Sequence, residues 1–306
     1  MNRHWGEIPI SDAHVHFFTT SFFNSLAKQK PGLEGDRIAE SLGWETPPAD
    51  PGSLADLWVA EMDRHHVRRA ALIGSAPGEE QAVAAAVARH PDRFYGYFLL
   101  DPTAGDARAR VDEAFSAGLK GICLFPAMHR YSMHDDRMRP VLEAAAARPG
   151  TLVFVHCGVL SVGVRKKLGL VSHYDLRYSN PIDLHAIAMD FPHVPFVIPH
   201  FGAGYFREAL MVCDLCHNVY LDTSSSNSWV RYQPEPLTLN HVFRRALDVV
   251  GAQRLLFGSD SSFYPRGWHA AIFEAQSKAL YELGLSADEA ALIFGANLDR
   301  LLASHT

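Results

Sequence analysis

Eight short apolar runs, alternating with alanine-rich amphipathic segments, constrain this chain more than any other feature. The runs cover residues 8–16, 69–74, 94–101, 119–125, 151–156, 195–200, 219–222 and 254–260, and are rich in Val, Ile, Leu and Phe. Continuous apolar runs of this length suit parallel strands buried on both faces. Helical segments are expected at 53–66, with Ser53 as N-cap, and at 78–89, 106–117 and 138–147. Others are expected at 181–190, with Pro181 in the first turn, and at 205–216, 239–250 and 268–283. Segments 286–294 and 298–302 form a C-terminal helical tail. Eight strand–helix units within 306 residues predict an α/β protein, a (β/α)8 TIM barrel forming one domain over residues 1–306. An open doubly wound sheet is the alternative.

The longest interruption is an insertion after the first strand, residues 17–52, which opens with Phe17, Phe18, Phe22 and Phe23. In a barrel it leaves the rim where active sites sit, so it is read as a lid or pocket wall holding one or two short helices. A dimer contact, and hence a homodimer, is the competing reading. The turn cluster Pro47-Pro48-Ala49-Asp50-Pro51-Gly52 closes the insertion. A formal charge of -6 gives no reason to expect nucleic-acid or membrane-surface binding. Residues 1–7 lack the apolar core of a signal peptide, so a cytoplasmic protein is expected. Cys213-Asp214-Leu215-Cys216-His217 has the spacing of a haem-attachment or redox motif. It also continues a helical apolar pattern, and buried free thiols are the expectation.

Histidines mark the strand ends. His14 and His16 lie two apart, and so on one face of the first strand. His156 ends the fifth run, His200 the sixth and Asp260 the eighth. Parallel barrel strands all end at the same mouth, so these five residues share one rim. They supply enough nitrogen and oxygen donors for one zinc ion with a position left open for water, whereas a closed structural site would be richer in cysteine. Asp222, ending the seventh run, either orients a histidine from behind or caps its own Thr223-Ser224 turn.

Asp12-Ala13-His14-Val15-His16, Phe154-Val155-His156-Cys157-Gly158, Ile198-Pro199-His200-Phe201-Gly202 and Leu256-Phe257-Gly258-Ser259-Asp260 together resemble the four motif strands of the amidohydrolase superfamily. More narrowly, the chain resembles the amidohydrolase-related family that includes the aminocarboxymuconate-semialdehyde decarboxylase group. Asn297, Leu298 and Arg300-Leu301-Leu302 are similar to that family's C-terminal ending. The resemblance implies that His14, His16, His156 and Asp260 hold a metal, and that His200 is catalytic or binds a second metal. Binuclear members carry a carboxylated lysine at the end of strand four. Here strand four ends Leu124-Phe125-Pro126, and Lys120 sits at its beginning, where a structural role is expected. One divalent ion is therefore expected, Zn2+ first and Mn2+ as the alternative.

Two chemistries fit such a site. As a hydrolase acting on an ester, lactone or amide, it would use water acidified by the metal, with Asp260 as the proton carrier and His200 polarising the carbonyl. As a non-oxidative decarboxylase of an aromatic or unsaturated acid, it would use the same residues to deliver a proton to carbon. A metal-binding barrel without turnover is a third reading. The loop 158–180 carries Arg165, Lys166, Lys167 and Arg177 against Asp175, which suggests that Arg165 and Arg177 bind an anionic small-molecule substrate. Phe263, Tyr264 and Trp229 are candidates for an aromatic pocket wall.

Overall fold

Each apolar run becomes a strand, and each strand pairs in parallel with the next. In the computed structural model, which describes residues 4–30, 32, 34–224 and 227–303, the strands are β1 (Ile10–Phe17), β2 (Val67–Gly74), β3 (Phe94–Leu100) and β4 (Gly121–Leu124). They continue as β5 (Leu152–Val155), β6 (Phe196–Ile198), β7 (Val219–Asp222) and β8 (Leu255–Leu256). Their order in the sheet is their order in the chain. The ring closes just beyond β8. Ala13 N donates to Phe257 O at 2.8 Å, Asp260 N to His14 O at 3.0 Å and His16 N to Ser261 O at 2.7 Å. This is the (β/α)8 barrel that the alternation implies, and the open-sheet alternative is excluded.

Two helices, α1 (Thr20–Ala27) and α2 (Gly35–Ser41), fold within the insertion. Then come α3 (Pro51–Arg64), α4 (Glu80–Arg89) and α5 (Ala107–Ser116). After β4 lie α6 (Pro126–His129) and α7 (Met138–Ala146), and after β5 lie α8 (Gly163–Lys167) and α9 (Leu184–Asp190). The helices α10 (Phe206–Leu215), α11 (Leu239–Val250) and α12 (Ala270–Glu282) follow β6, β7 and β8. The tail is α13 (Ala287–Ala291) and α14 (Asn297–Leu302), joined by a π-helical turn over Leu292–Ala296. It packs under the barrel, where Asn297 Nδ2 donates to Ala252 O and Leu255 O at the start of β8.

Some helix starts differ from expectation: Pro181–Asp183 form a 3-10 turn ahead of α9, and the cap of α3 moves. Asp50, not Ser53, caps α3: its carboxylate accepts from Ser53 N at 2.8 Å, and Pro51 takes the first turn. Proline needs no hydrogen-bond acceptor there and its fixed φ suits a helix start, so it moves the cap upstream.

Two packed layers hold the fold. Leu72, Leu100, Val153, Phe196 and Leu221 pack between strands and helices, and are fully or almost fully buried. Inside the ring, Ala71, Tyr97, Cys123, Phe154, Val197 and Leu256 fill the interior. Burying one such large side chain contributes about 1.5–3 kcal/mol. Gly121 makes room for Tyr97, because a Cβ at position 121 would lie 2.1 Å from the Tyr97 ring. All four cysteines are buried and free, as the helical reading of Cys213 and Cys216 expects. No helix among the described residues is long and apolar enough to cross a membrane.

Candidate metal centre at the barrel mouth

A cavity of about 320 Å3 opens at the C-terminal ends of the strands, with His14, His16, His156, His200 and Asp260 in its lining. Strand alternation points His14 and His16 the same way, and their Nε2 atoms lie 3.4 Å apart. Asp260 Oδ1 is 3.3 Å from His16 Nε2 and 3.8 Å from His14 Nε2. Donor atoms of these three residues all fall within 4.8 Å of one another. His200 and His156 extend the group across the cavity floor, with ring centroids 5.0 Å from His14 to His200 and 5.5 Å from His200 to His156. Both His200 (φ 55°) and Asp260 (φ 57°) adopt the left-handed region. For a residue other than glycine this costs on the order of 1–3 kcal/mol, and such strain concentrates at functional sites.

The backs of the His14, His16 and His200 rings are held. His14 Nδ1 meets Asp222 Oδ2 at 2.7 Å and Ser224 Oγ at 2.9 Å. His16 Nδ1 meets Ser75 Oγ at 2.8 Å, and Ser75 Oγ itself donates to Ile73 O. That hydroxyl's proton is committed, so it accepts from His16 Nδ1–H. His200 Nδ1 lies 3.0 Å from Ser224 O, which can only accept. The carboxylate and carbonyl favour the Nδ1–H form of the neutral rings, with Ser224 Oγ also 3.0 Å from His200 Nδ1, and the Nε2 lone pairs then face the cavity. This is how an outer carboxylate or carbonyl prepares a histidine for metal. His200 consequently offers an acceptor. Polarising a carbonyl, the role expected of it, would need the protonated ring.

Burial disfavours that proton. Desolvation, reinforced by the neighbouring rings, lowers His156 well below the ordinary histidine value of 6.5, and it lowers His16 and His200 as well. Burial acts most strongly on His14 too, against protonation, but the Asp222 carboxylate together with Asp260 and Asp12 outweighs it and leaves that ring raised. Burial works to raise Asp260, yet its hydrogen bond to His16 and the surrounding rings hold it below the usual carboxylate range. Asp12, fully buried, accepts from His14 N, Ser259 N and Trp268 Nε1 at 2.8–3.1 Å, and so fastens β1 to the segment carrying Asp260. Desolvation pushes its carboxyl up to about 6.

His156 Nδ1 is buried and has no hydrogen-bond partner among the described residues. A buried ring nitrogen left open in this way costs stability unless something enters the cavity to satisfy it. The donor set of imidazole nitrogens and one carboxylate oxygen matches a catalytic zinc site in kind. These residues fit a divalent ion.

Of the basic loop, Lys167 reaches the cavity and the two arginines do not. Arg177 is 82 % exposed and is captured by Asp175, two residues before it, at 2.6 Å. Arg165 turns to Gln29 Oε1 and Val171 O, also outside the cavity lining. Arg266 and Lys167 line the cavity instead. Arg266 Nη2 donates to Asp260 O and Ser262 Oγ, and its guanidinium lies 4.5 Å over the Phe263 ring. Lys167 Nζ lies 5.5 Å over Trp44. Of the three candidate wall aromatics only Phe263 lines this cavity. Tyr264 packs on Trp58, and Trp229 is buried against Phe201 and Phe206. The insertion completes the wall, with Phe18 stacked on Phe22 at 3.8 Å and Trp44 stacked on Phe263 at 4.0 Å. Ser75 was findable as the residue just past β2, whereas Arg266 sits on a loop with no pattern to mark it.

The family model described as Amidohydrolase matches residues 11–303. The chain belongs to the amidohydrolase family. Among solved structures similar to this family member, a probable 2-pyrone-4,6-dicarboxylic acid hydrolase from Acinetobacter baumannii, with citric acid bound, is 15 % identical. That match covers 96 % of this chain and 99 % of the other, with a TM-score of 0.63. An amidohydrolase from Burkholderia multivorans with bound zinc is 18 % identical, over 97 % of this chain and 100 % of the other, with a TM-score of 0.63. At these identities the likeness establishes the fold. Protein fluG of Emericella nidulans is 32 % identical over 91 residues, which is 30 % of this chain and only 10 % of that protein's length.

Proposed function

We propose that this amidohydrolase-family protein is a metal-dependent hydrolase acting on an ester, lactone or amide bond of a small carboxylate-bearing molecule. The observation that carries this reading is the convergence of outward-held Nε2 lone pairs and an ionised carboxylate on one cavity floor. His14, His16, His156 and Asp260 would hold one divalent ion, zinc first and manganese as the alternative; zinc is also the metal in the Burkholderia relative. A divalent ion held there supplies Lewis acidity and lowers the pKa of water.

The protein's own groups supply the rest. Asp260, held ionised, takes the proton of the attacking water and passes it to the leaving group. His200 Nε2 accepts a hydrogen bond from that water and aims it, because Nδ1–H is committed to Ser224 O. Arg266 and Lys167 pair with the substrate carboxylate, and Trp44, Phe18 and Phe263 enclose its apolar part. In this reading residues 17–52 act as a lid. A carboxylate-bearing lactone suits this cavity, and the Acinetobacter relative is described as a hydrolase of a pyrone dicarboxylic acid.

The test is a panel of carboxylated and neutral lactones, esters and amides, 2-pyrone-4,6-dicarboxylic acid among them. It is run beside aromatic and unsaturated carboxylic acids with detection of carbon dioxide. Hydrolysis favouring the carboxylated members supports the proposal. Carbon dioxide release without hydrolysis would replace it with a decarboxylase, and metal binding without turnover of any member would replace it with a binding protein.

A further inference from the structure

Glu79 is a buried carboxylate, 2 % exposed, bonded to the backbone of Ser75, which lines the cavity. Its Oε2 accepts from Ser75 N at 2.7 Å and from Ala76 N at 2.8 Å. Its Oε1 accepts from Thr19 Oγ1, the N-cap of α1, whose hydroxyl in turn accepts from Ser21 N. One carboxylate therefore joins the first turn of the insertion to the loop after β2. Of the linked residues Ser75 lines the cavity, and its Oγ accepts from His16 Nδ1.

We infer that Glu79 is a positioning residue for His16, making the docked insertion part of that ligand's support. The inference rests on the metal reading of the site. The chemistry favours a carboxylate at this position: all three neighbours are donors, and an ionised carboxylate only accepts. Burial raises the Glu79 carboxyl, and the hydrogen bonds from Thr19, Ala76 and Ser75 oppose that rise. An amide serves the two ends less well. With its oxygen kept on Ser75 N and Ala76 N, its NH2 can only donate to Thr19 Oγ1, which reverses that bond and leaves the hydroxyl proton without its acceptor. Glu79→Gln thus weakens the tie to the insertion while leaving the Ser75 loop held, and Glu79→Ala releases both. Outer groups that fix a ligating histidine typically change metal affinity about 10–100-fold when removed.

The test measures the zinc dissociation constant by chelator competition, and the visible spectrum of the cobalt-loaded protein, for parent, Glu79→Gln, Glu79→Ala, Thr19→Val and Thr19→Ser. Circular dichroism of the metal-free forms checks folding. Zinc should bind about tenfold or more weakly in Glu79→Ala. It should weaken less in Glu79→Gln and Thr19→Val, with a shifted cobalt spectrum, and Thr19→Ser should restore parental behaviour. Folded Glu79→Gln and Thr19→Val proteins with unchanged zinc affinity and cobalt spectrum would overturn the inference, even if Glu79→Ala fails to fold. A parent that binds neither metal would overturn the metal reading and this inference with it.

Discussion

His14 Nδ1 and Asp222 Oδ2 lie 2.7 Å apart, with the histidine side chain 2 % exposed and the aspartate 0 %. The contact turns His14 Nε2 to the cavity and makes the ring a stronger donor. Asp222→Asn keeps the shape and removes the charge, so zinc affinity should fall about 10–100-fold with little change in overall fold. Chelator competition measures this, and unchanged affinity would show that the carboxylate does not support the ligand.

Acid should weaken the metal-free protein. His16, His156 and His200 are depressed below the ordinary 6.5, so the stability tied to their neutral forms is complete above pH 6.5 and drains as pH falls through their folded values. His14 is raised, so its contribution runs the other way, fullest below 6.5. The Asp12 carboxyl, pushed up to about 6, also works the other way, and the expectation is that the three depressed rings, His156 the most strongly shifted, outweigh both. The melting temperature should be lower at pH 5.5 than at pH 7.5, and the difference should shrink in His156→Asn. A melting temperature that is flat or rises on acidification would contradict this balance.

Gly258 admits no side chain. A Cβ there would lie 2.6 Å from Asp222 Oδ1, 2.7 Å from Ser224 Cβ and 2.9 Å from His14 Cβ. Gly258→Ala should therefore push apart the groups that hold His14. A loss of about 1–3 kcal/mol in denaturant unfolding is expected from such overpacking, together with weakened zinc binding. Parental stability and zinc affinity in Gly258→Ala would show that the site tolerates the shift.

The cavity's cations should discriminate between substrates. Arg266→Met should raise KM about tenfold or more for a carboxylated substrate, since a charged hydrogen bond contributes about 1.5–3 kcal/mol. A neutral lactone should be affected less, and Arg177→Ala should change neither. Steady-state kinetics on both substrates decide this. An equal loss on the two would confine Arg266 to holding the Asp260 carbonyl.

The barrel was legible because parallel strands buried on both faces are written as unbroken apolar runs, and β7 begins and ends where its run does. The eighth run extends to Asp260, but regular pairing stops at Leu256 because the chain then bonds irregularly to β1 and turns to positive φ. His14 and His16 were legible through simple alternation. Asp222 fills both anticipated roles, meeting His14 and accepting from Ser224 N. Which cations line the cavity was only partly legible, since Lys167 belongs to the basic loop and Arg266 does not. Charge along a loop does not say where a side chain points, and Asp175 captures Arg177 within two residues. Arg266 owes its place to the path of the loop after β8, which no periodicity records.

Metal content tests the central claim most directly. Protein purified without chelator and analysed by elemental mass spectrometry should hold about one zinc-class ion per chain. His14→Ala and Asp260→Ala should each lose most of it while remaining folded by circular dichroism. Full occupancy surviving both substitutions would contradict the assignment of the site.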